Sequence, residues 1–349
     1  MTEHPPIPWS IFDNLPDPVL VLNQDRTIIT ANKAARDLFE RPIEGNDLAL
    51  ALRHPSAITT AEAALNGKNP EPAELSLSIS ANRIFEICAT PVPGAGGSMA
   101  VITLHDTTRE KQAEGMRADF VANVSHELRS PLASLIGFVE TLLGPAKNDR
   151  EAQEKFLGIM HSEAERMARL IDDLLSLSQV EVDEHIQPRD QVSLSSLLRQ
   201  VIDVMRVRAK EKDMTVSLNM SANLPDVVGD EDQLFQVFQN LIDNAVKYGH
   251  PSSDINIEIS VLDRVPGTLA PGVSVSIKDQ GDGISEGERS RLTERFYRVD
   301  KARSRKLGGT GLGLAIVKHI ISRHRGWLAI DSEESIGSTF TVTLPIFKD

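Results

Sequence analysis

The sequence predicts a multidomain α+β chain: a small α+β domain, an antiparallel helical hairpin that forms a dimeric four-helix bundle, and an α/β sandwich. Three observations carry this expectation. The 349 residues exceed one ordinary domain and suggest two or three. Short β-branched and alternating runs occupy both ends of the chain. Between them, from about residue 107 to 183, apolar residues recur at steps of three and four.

The first region, residues 10–105, is read as the small α+β domain. "PVLVL" and "RTIIT" are short strands separated by the turn "NQD". "NKAARDLFE" is a helix with Asn32 as its cap. "ELSLSIS" alternates through Leu75, Leu77 and Ile79, and "RIFEICATPV" and "MAVITLHD" flank the glycine-rich "PGAGG" as a hairpin. Cys88 falls in an alternating strand, where burial is the expectation, and lacks the surroundings of a flavin adduct. His54 and His105 make no convincing haem pocket, so the ligand or upstream partner of this region is unknown.

In the second region, 106–185, apolar residues step through positions 113, 116, 120, 124, 128, 132, 135, 139 and 142. After the break "GPAKND" the step resumes through Leu157, Met160, Ala164, Met167, Ile171 and Leu174. Two amphipathic helices joined by a short loop form an αα-hairpin, the first about 35 residues and so about 50 Å long. A lone hairpin has little to bury such stripes against. Pairing with a second copy completes a four-helix bundle, so a homodimer is expected; packing on other domains of the same chain is the alternative.

The third region, 190–349, returns to mixed structure. "VSLSSLLRQVIDVMRVRAKEKD" is a capped helix, and "DEDQLFQVFQNLIDNAVKYG" is a second, ended by Gly249. "INIEISVLD", "VSVSIKDQ" and "STFTVTLPIF" alternate as strands, and "TGLGLAIVKHIISRHRG" opens and closes at glycines. Helices and strands together suffice for a packed sandwich.

Composition narrows the function. Lys and Arg total 37 against 50 Asp and Glu, a formal charge of −13, which argues against a nucleic-acid partner. The single cysteine excludes an intramolecular disulfide and a cysteine zinc site, and fits a reducing, cytoplasmic compartment. No apolar run approaches 18 residues and the N-terminus has no signal-peptide pattern, so no membrane span is expected in this chain; the chain can still be the soluble part of a membrane-attached sensor.

One stretch carries chemistry. In "FVANVSHELRSPLASLIGF", residues 120–138, the apolar stripe passes through Val124 and Leu128. His126 lies two residues from each, about 200° around the helix, and should face solvent. Most exposed histidines do nothing, but a neutral imidazole is a competent nucleophile. Glu127 beside it can hold the proton of the other ring nitrogen. Pro131 offers no N–H to the Glu127 carbonyl, so a bend is expected just below the histidine; it either aids packing or lets a partner reach His126.

This stretch resembles the phosphoacceptor box of the sensor histidine kinases of two-component signalling, and the preceding "HDTTREKQAEGMRADF" resembles the exit from a PAS sensor domain. The resemblance implies that His126 is autophosphorylated, that Glu127 assists as base and as acid in the partner's reaction, and that the partner is a response regulator receiver domain. Ser130 stands where the family most often has threonine, a side chain that there orients a dephosphorylating water. Serine keeps the hydroxyl without the β-branching that fixes its rotamer, which weakens the implied phosphatase activity.

A phosphohistidine needs a donor. No P-loop pattern occurs, and "GGTGLG" (308–313) follows the basic "DKARSRKL" rather than a strand, against a dinucleotide fold. Its bare backbone N–H groups at a helix start suit phosphate, or else a flexible cap. Asn240, Asn244 and Lys247 share nearly one helical face, where amide oxygens can join phosphate oxygens around Mg²⁺ and the lysine can reach a phosphate. Asp279 ends an alternating strand before Gly281 and Gly283, where a carboxylate can accept from an exocyclic amine; an acidic turn is the other reading.

In this order the stretches are similar to the ATP-binding boxes of the same kinases, within the group that includes gyrase and the Hsp90 chaperones. The resemblance covers about 106–345. It implies ATP and Mg²⁺ as cofactors, with Asn244 holding the metal beside Asn240, Lys247 and Tyr248 on the phosphate side, and Asp279 on adenine. Gly281, Gly283, Gly309, Thr310, Gly311, Leu312 and Gly313 would shape the pocket, and "ERFYRVD", with Phe296 and Tyr297, resembles the box before a mobile lid. Arg298, Arg303, Arg305 and Lys306 either steady phosphates or form a solvated loop. Residues 292–326 and "LIDDLLSLSQVE" look closest to phosphate-regulon sensor kinases. A phosphatase-biased regulator and a non-catalytic dimeric scaffold are the rival readings, the second disfavoured by the intact His126, Glu127, Asn244 and Asp279.

Overall fold

The structure is a computed structural model and describes residues 9–78, 82–94, 97–183, 185–221, 223–268, 270–300 and 308–347. Ile79, Arg303, Arg305 and Lys306, named above, lie outside the described residues. The chain divides into two compact units, Met1–Ala122 and Asn123–Asp349.

The first unit is a five-stranded antiparallel sheet in the order β2-β1-β5-β4-β3, with β1 Val19–Leu22, β2 Ile28–Ala31, β3 Ala73–Ser78, β4 Asn82–Gly94 and β5 Gly97–Asp106. The expected hairpin is β4–β5, paired from Phe85↔Asp106 to Gly94↔Gly97. Helix α1, Lys33–Phe39, is capped as expected: Asn32 Oδ1 accepts the Ala35 N–H at 2.9 Å. The same amide accepts from Val19 and donates to the Phe12 and Asp17 carbonyls, so its burial leaves every polar atom paired. Helices α2, Leu48–Ala51, and α3, Pro55–Leu65, were not anticipated. α3 buries Ala57, Ala61 and Ala64 against the sheet core of Leu75, Phe85, Ile87 and Ile102. Three of its five buried residues are alanine and one is Thr60, so the apolar periodicity was faint in sequence. After β5, Arg83 Nε and Thr108 N–H donate to Asp106, both at 3.0 Å. Burial raises the pKa of that carboxyl, but the bonds from Thr108 and Arg83 outweigh it and hold it at about 2.

The hairpin helices are α4, Thr108–Leu143, and α5, Arg150–Val182, with Asp149 capping α5 through the Ala152 N–H at 3.0 Å. Helix α4 continues through Pro131, whose ring is buried. Helix α5 has a second apolar face that the sequence reading did not single out. Leu157 and Ile171 are 55% and 45% exposed, whereas Leu170, Leu177 and Val180 are buried. The buried face packs on the C-terminal lobe of the same unit, and the stripe read from sequence stays exposed at Leu157, Ala164 and Ile171 and half-buried at Met160, Met167 and Leu174.

The lobe is a mixed five-stranded sheet in the order β11-β12-β10-β9-β7. Its strands are β7 Thr215–Met220, β9 Asp254–Leu262, β10 Gly272–Lys278, β11 Trp327–Glu333 and β12 Gly337–Pro345. A two-stranded ladder pairs β6 Asp190–Val192 with β8 Val227–Gly229. Helices α6 Leu194–Lys210, α7 Glu231–Tyr248 and α9 Gly313–Arg323 cover the sheet; α8 is the short turn Glu286–Arg289. Alternating Ile255, Ile257 and Ile259, Val273, Val275 and Ile277, and Phe340, Val342 and Leu344 meet Leu198, Val201, Phe238 and Leu241 in the core.

Of two helix-end expectations, one needs correction and one holds. Ser193 stands at the N-cap of α6, but its hydroxyl pairs with Ser195 at 3.1 Å and caps no backbone N–H. Gly249 ends α7 in an extended, not left-handed, conformation. Glycine is required there by space: a Cβ would come within 2.6 Å of the Ala245 carbonyl and the Met214 methyl.

Candidate functional site

His126 sits on α4 and is exposed, as the helical phase required. Glu127 is half-buried, and its Oε2 accepts from Arg166 Nη2 on α5 at 2.8 Å and from Arg298 Nη2 of the lobe at 3.2 Å. Arg298 is nearly enclosed, its side chain 5% exposed, so the ion pair is screened little. Ser130 is exposed one helical turn beyond His126.

The lobe holds a cavity of about 560 Å³, a size suited to a nucleotide-scale ligand. Asn240, Asn244, Lys247 and Tyr248 line it from α7. That helix is amphipathic: Leu234, Val237, Phe238, Leu241, Ile242 and Ala245 face the core and leave the polar residues to the cavity. Lys247 Nζ donates to Asp243 Oδ2 at 2.6 Å, and Arg208 Nη1 donates to the other oxygen at 2.6 Å. Among the described residues Asn240 Nδ2 is buried without a hydrogen-bond partner, a donor held ready for a ligand oxygen.

Asp279 follows β10 and is 4% exposed. Its Oδ1 accepts the Gly281 and Ser338 N–H groups at 3.0 and 3.2 Å, while Oδ2 takes part in neither bond. Burial pushes the carboxyl pKa up, against the Ser338 and Gly281 bonds and His250. A buried carboxylate fixed by one oxygen is well placed to accept from an amine with the other. Gly283, at φ +69°, also lines the cavity, and a Cβ there would strike the Glu333 backbone. Gly311, at φ +77°, leaves only 3.0 Å between a Cβ and the Phe296 backbone.

Gly309, Thr310, Gly311 and Gly313 line the cavity at the start of α9, and Gly281 lines it opposite. Leu312 departs from its expected place. Its side chain is fully buried, and its part is to stand at the N-cap of α9, with its N–H on Thr310 Oγ1 at 3.3 Å. Tyr297 lines the cavity, with Arg291 stacked 4.2 Å from its ring centroid and its hydroxyl on Glu288. Phe296 instead uses its backbone, donating to the Gly311 carbonyl at 2.8 Å.

Fit to a divalent cation follows from the donor set. Among the described residues no group of three or more His, Cys, Asp or Glu can hold a metal. The Asn240 and Asn244 amides are hard oxygen donors, enough for Mg²⁺ only when phosphate oxygens and water supply the rest.

Sequence reasoning missed Arg169, Asp172 and Asp173 of α5, which line the same cavity. Thr310 Oγ1 donates to Asp173 Oδ2 at 2.6 Å. Nothing in the heptad pattern marked these positions, because their partners lie over a hundred residues away.

Comparison with known proteins agrees with this geometry. Residues 229–348 match the family model of histidine kinase-, DNA gyrase B- and HSP90-like ATPases. Residues 116–182 match the His kinase A (phospho-acceptor) domain, and residues 10–69 a PAS domain. The sensor protein kinase WalK of Staphylococcus saprophyticus is 38% identical over 245 residues, 70% of this chain and 39% of its own. WalK of Staphylococcus aureus is also 38% identical, over 70% of this chain and 57% of its own. The chain therefore spans 39% to 57% of the length of these relatives. The histidine kinase AdeS of Acinetobacter baumannii aligns with a TM-score of 0.50 at 25% identity, over 64% of this chain and 98% of its own. Histidine kinase ThkA, solved in complex with response regulator protein TrrA, shares the fold at a TM-score of 0.52 and 20% identity, over 97% of this chain and 98% of its own. Among the described residues no helix is long and apolar enough to cross a membrane.

Proposed function

Because this chain belongs to the sensor histidine kinases of two-component systems, we propose that it autophosphorylates His126 from ATP and passes the phosphoryl group to an aspartate of a response regulator receiver domain. The observation that carries the reading is the Arg298–Glu127 bond at 3.2 Å, which ties the cavity-bearing lobe to the residue beside the histidine. On this reading residues 10–105 are the sensor, 106–185 the phosphotransfer hairpin and 190–349 the catalytic domain.

Each residue then has a task. Asp279 Oδ2 accepts the adenine amine. Asn240, Lys247 and the N–H groups of Gly309 to Gly313 hold phosphate oxygens, and Tyr248 lines that side. Asn244, beside Asn240, would hold Mg²⁺, which supplies charge neutralisation when bound. A His126 nitrogen attacks the γ-phosphorus; the N–P bond forms, the bond to the β,γ-bridging oxygen breaks, and ADP departs. Glu127 holds the proton of the other ring nitrogen. Alignment supplies most of the acceleration, since a loose phosphoryl transition state asks for little covalent help. ATP as donor fits the cytoplasmic compartment suggested by the single cysteine.

A homodimer is part of the proposal. Leu132, Val139, Leu157 and Ile171 are 40% to 55% exposed along the hairpin, and a second copy completing a four-helix bundle would cover them. Ser130, exposed one turn from His126, supports a second activity as phosphatase toward the phosphorylated regulator. Control of a phosphate regulon rests on the likeness of residues 292–326 and of "LIDDLLSLSQVE".

ATP labelled at the γ-phosphate tests the reading. The expected product is a label stable to base, labile to acid and absent in His126→Gln. Phosphate release from a phosphorylated regulator, with no self-labelling, would replace the kinase by the phosphatase reading.

A further inference from the structure

Thr310 is gripped at both polar ends. Its hydroxyl donates to Asp173 Oδ2 at 2.6 Å, and its carbonyl accepts from Arg298 Nη2 at 2.6 Å. That same nitrogen donates to Glu127 Oε2 at 3.2 Å. One residue of the glycine segment is thus held to the hairpin directly through α5 and indirectly through α4.

Asp173 also lines the cavity, beside the glycines and within the field of Lys247. Burial raises its pKa, while the Thr310 bond and Lys247 lower it. Another part of the docking contact lies elsewhere. Leu170, Leu177 and Val180 are buried, Ser176 Oγ donates to Gln236 Oε1 at 2.9 Å, and Arg295 pairs with Glu181 at 2.6 Å. None of these lines the cavity. A dock of mixed apolar and polar contacts away from the cavity is therefore paired with a charged bond that faces it.

We propose that Asp173 and Thr310 form a charge-operated clasp, closed while the lobe is docked on the hairpin and opened by nucleotide phosphates entering the glycine segment. This rests on the nucleotide reading of the cavity given above. Phosphate oxygens repel the Asp173 carboxylate, compete for the Thr310 hydroxyl and draw Arg298 away from Glu127. Linkage makes the effect reciprocal: whatever nucleotide does to docking, docking does to nucleotide affinity. ATP entry would in this way release both the lobe and the carboxylate beside His126.

The test uses the full chain in a Cys88→Ser background carrying Ser176→Cys and Gln236→Cys, which report docking through a short bis-maleimide. The probe is a non-hydrolysable ATP analogue with magnesium. The analogue is expected to slow cross-linking about fivefold or more. Asp173→Asn keeps an oxygen for Thr310 and loses the charge; it is expected to bind the analogue several-fold tighter and to cross-link at a rate that no longer responds to it. Thr310→Val, of similar volume, should cross-link more slowly than the parent without nucleotide. A parent that binds the analogue and cross-links at an unchanged rate overturns the clasp and leaves the nucleotide reading standing. A parent that binds no nucleotide overturns both.

Discussion

His324 Nε2 accepts the backbone N–H of Asp230 at 3.0 Å, joining the end of α9 to the N-cap of α7 across the lobe. The imidazole is 1% exposed, and its Nδ1 lies 2.7 Å from the Ile320 carbonyl, so the neutral ring is satisfied on both sides. Protonation would put a proton where Asp230 donates. Burial lowers the His324 pKa, with the Ile320 bond opposing. Below the ordinary histidine value of about 6.5 the unfolded chain takes up the proton first, so this contribution to stability is present above that value. It is lost as pH falls through the depressed folded value. Thermal unfolding followed from pH 7.5 downward should show a falling midpoint, and His324→Gln, which keeps an acceptor without the titration, should flatten the slope.

Asp279→Asn separates recognition from scaffolding. The amide oxygen can still accept the Gly281 and Ser338 N–H groups, so the unfolding midpoint should barely move. The second oxygen becomes an NH₂ that repels an incoming amine. Affinity for an ATP analogue by calorimetry should fall at least about tenfold, or roughly 1.4 kcal/mol.

Glu127→Gln tests the carboxylate beside His126. Nucleotide affinity should not fall, because Glu127 lies outside the cavity lining and its bond to Arg298 belongs to the docked state. The rate of His126 labelling should drop by about 10²–10⁴ if the carboxylate holds a proton in the transition state. An unchanged rate would leave Glu127 a partner of Arg166 and Arg298 with no part in the transfer.

Leu132→Glu places a charge on the open face of α4, where Leu132 is 48% exposed in the single chain. Sedimentation should show a shift from dimer to monomer. A variant that sediments like the parent would remove the four-helix bundle from the proposal.

Much of this molecule could be read from its residues, for physical reasons that differ by element. Asn32 was legible because a side-chain amide before a helix has one common use, and it has that use here. The polar face of α7 was legible because two asparagines interrupt an apolar pattern that otherwise needs no explanation. Helix α3 was passed over because alanine carries little hydrophobic contrast, and edge strands β7 and β11 because each buries only part of one face. Only one of the two apolar faces of α5 was read: the face through Leu170, Leu177 and Val180, which is buried, was passed over because spacing alone did not say which one meets the lobe. Asp173 and Arg298 acquire their meaning from partners 137 and 171 residues away, a separation that no local pattern encodes.

Strand β7 runs parallel to β9, and α7 is the crossover between them. The helix that presents Asn240, Asn244 and Lys247 is therefore a bridge whose abutments are two strands far apart in the chain. Such a bridge cannot be half built. A lobe truncated before β9 would lose one abutment of that bridge, so the seating of Asn240, Asn244 and Lys247 depends on a strand that follows them in the chain.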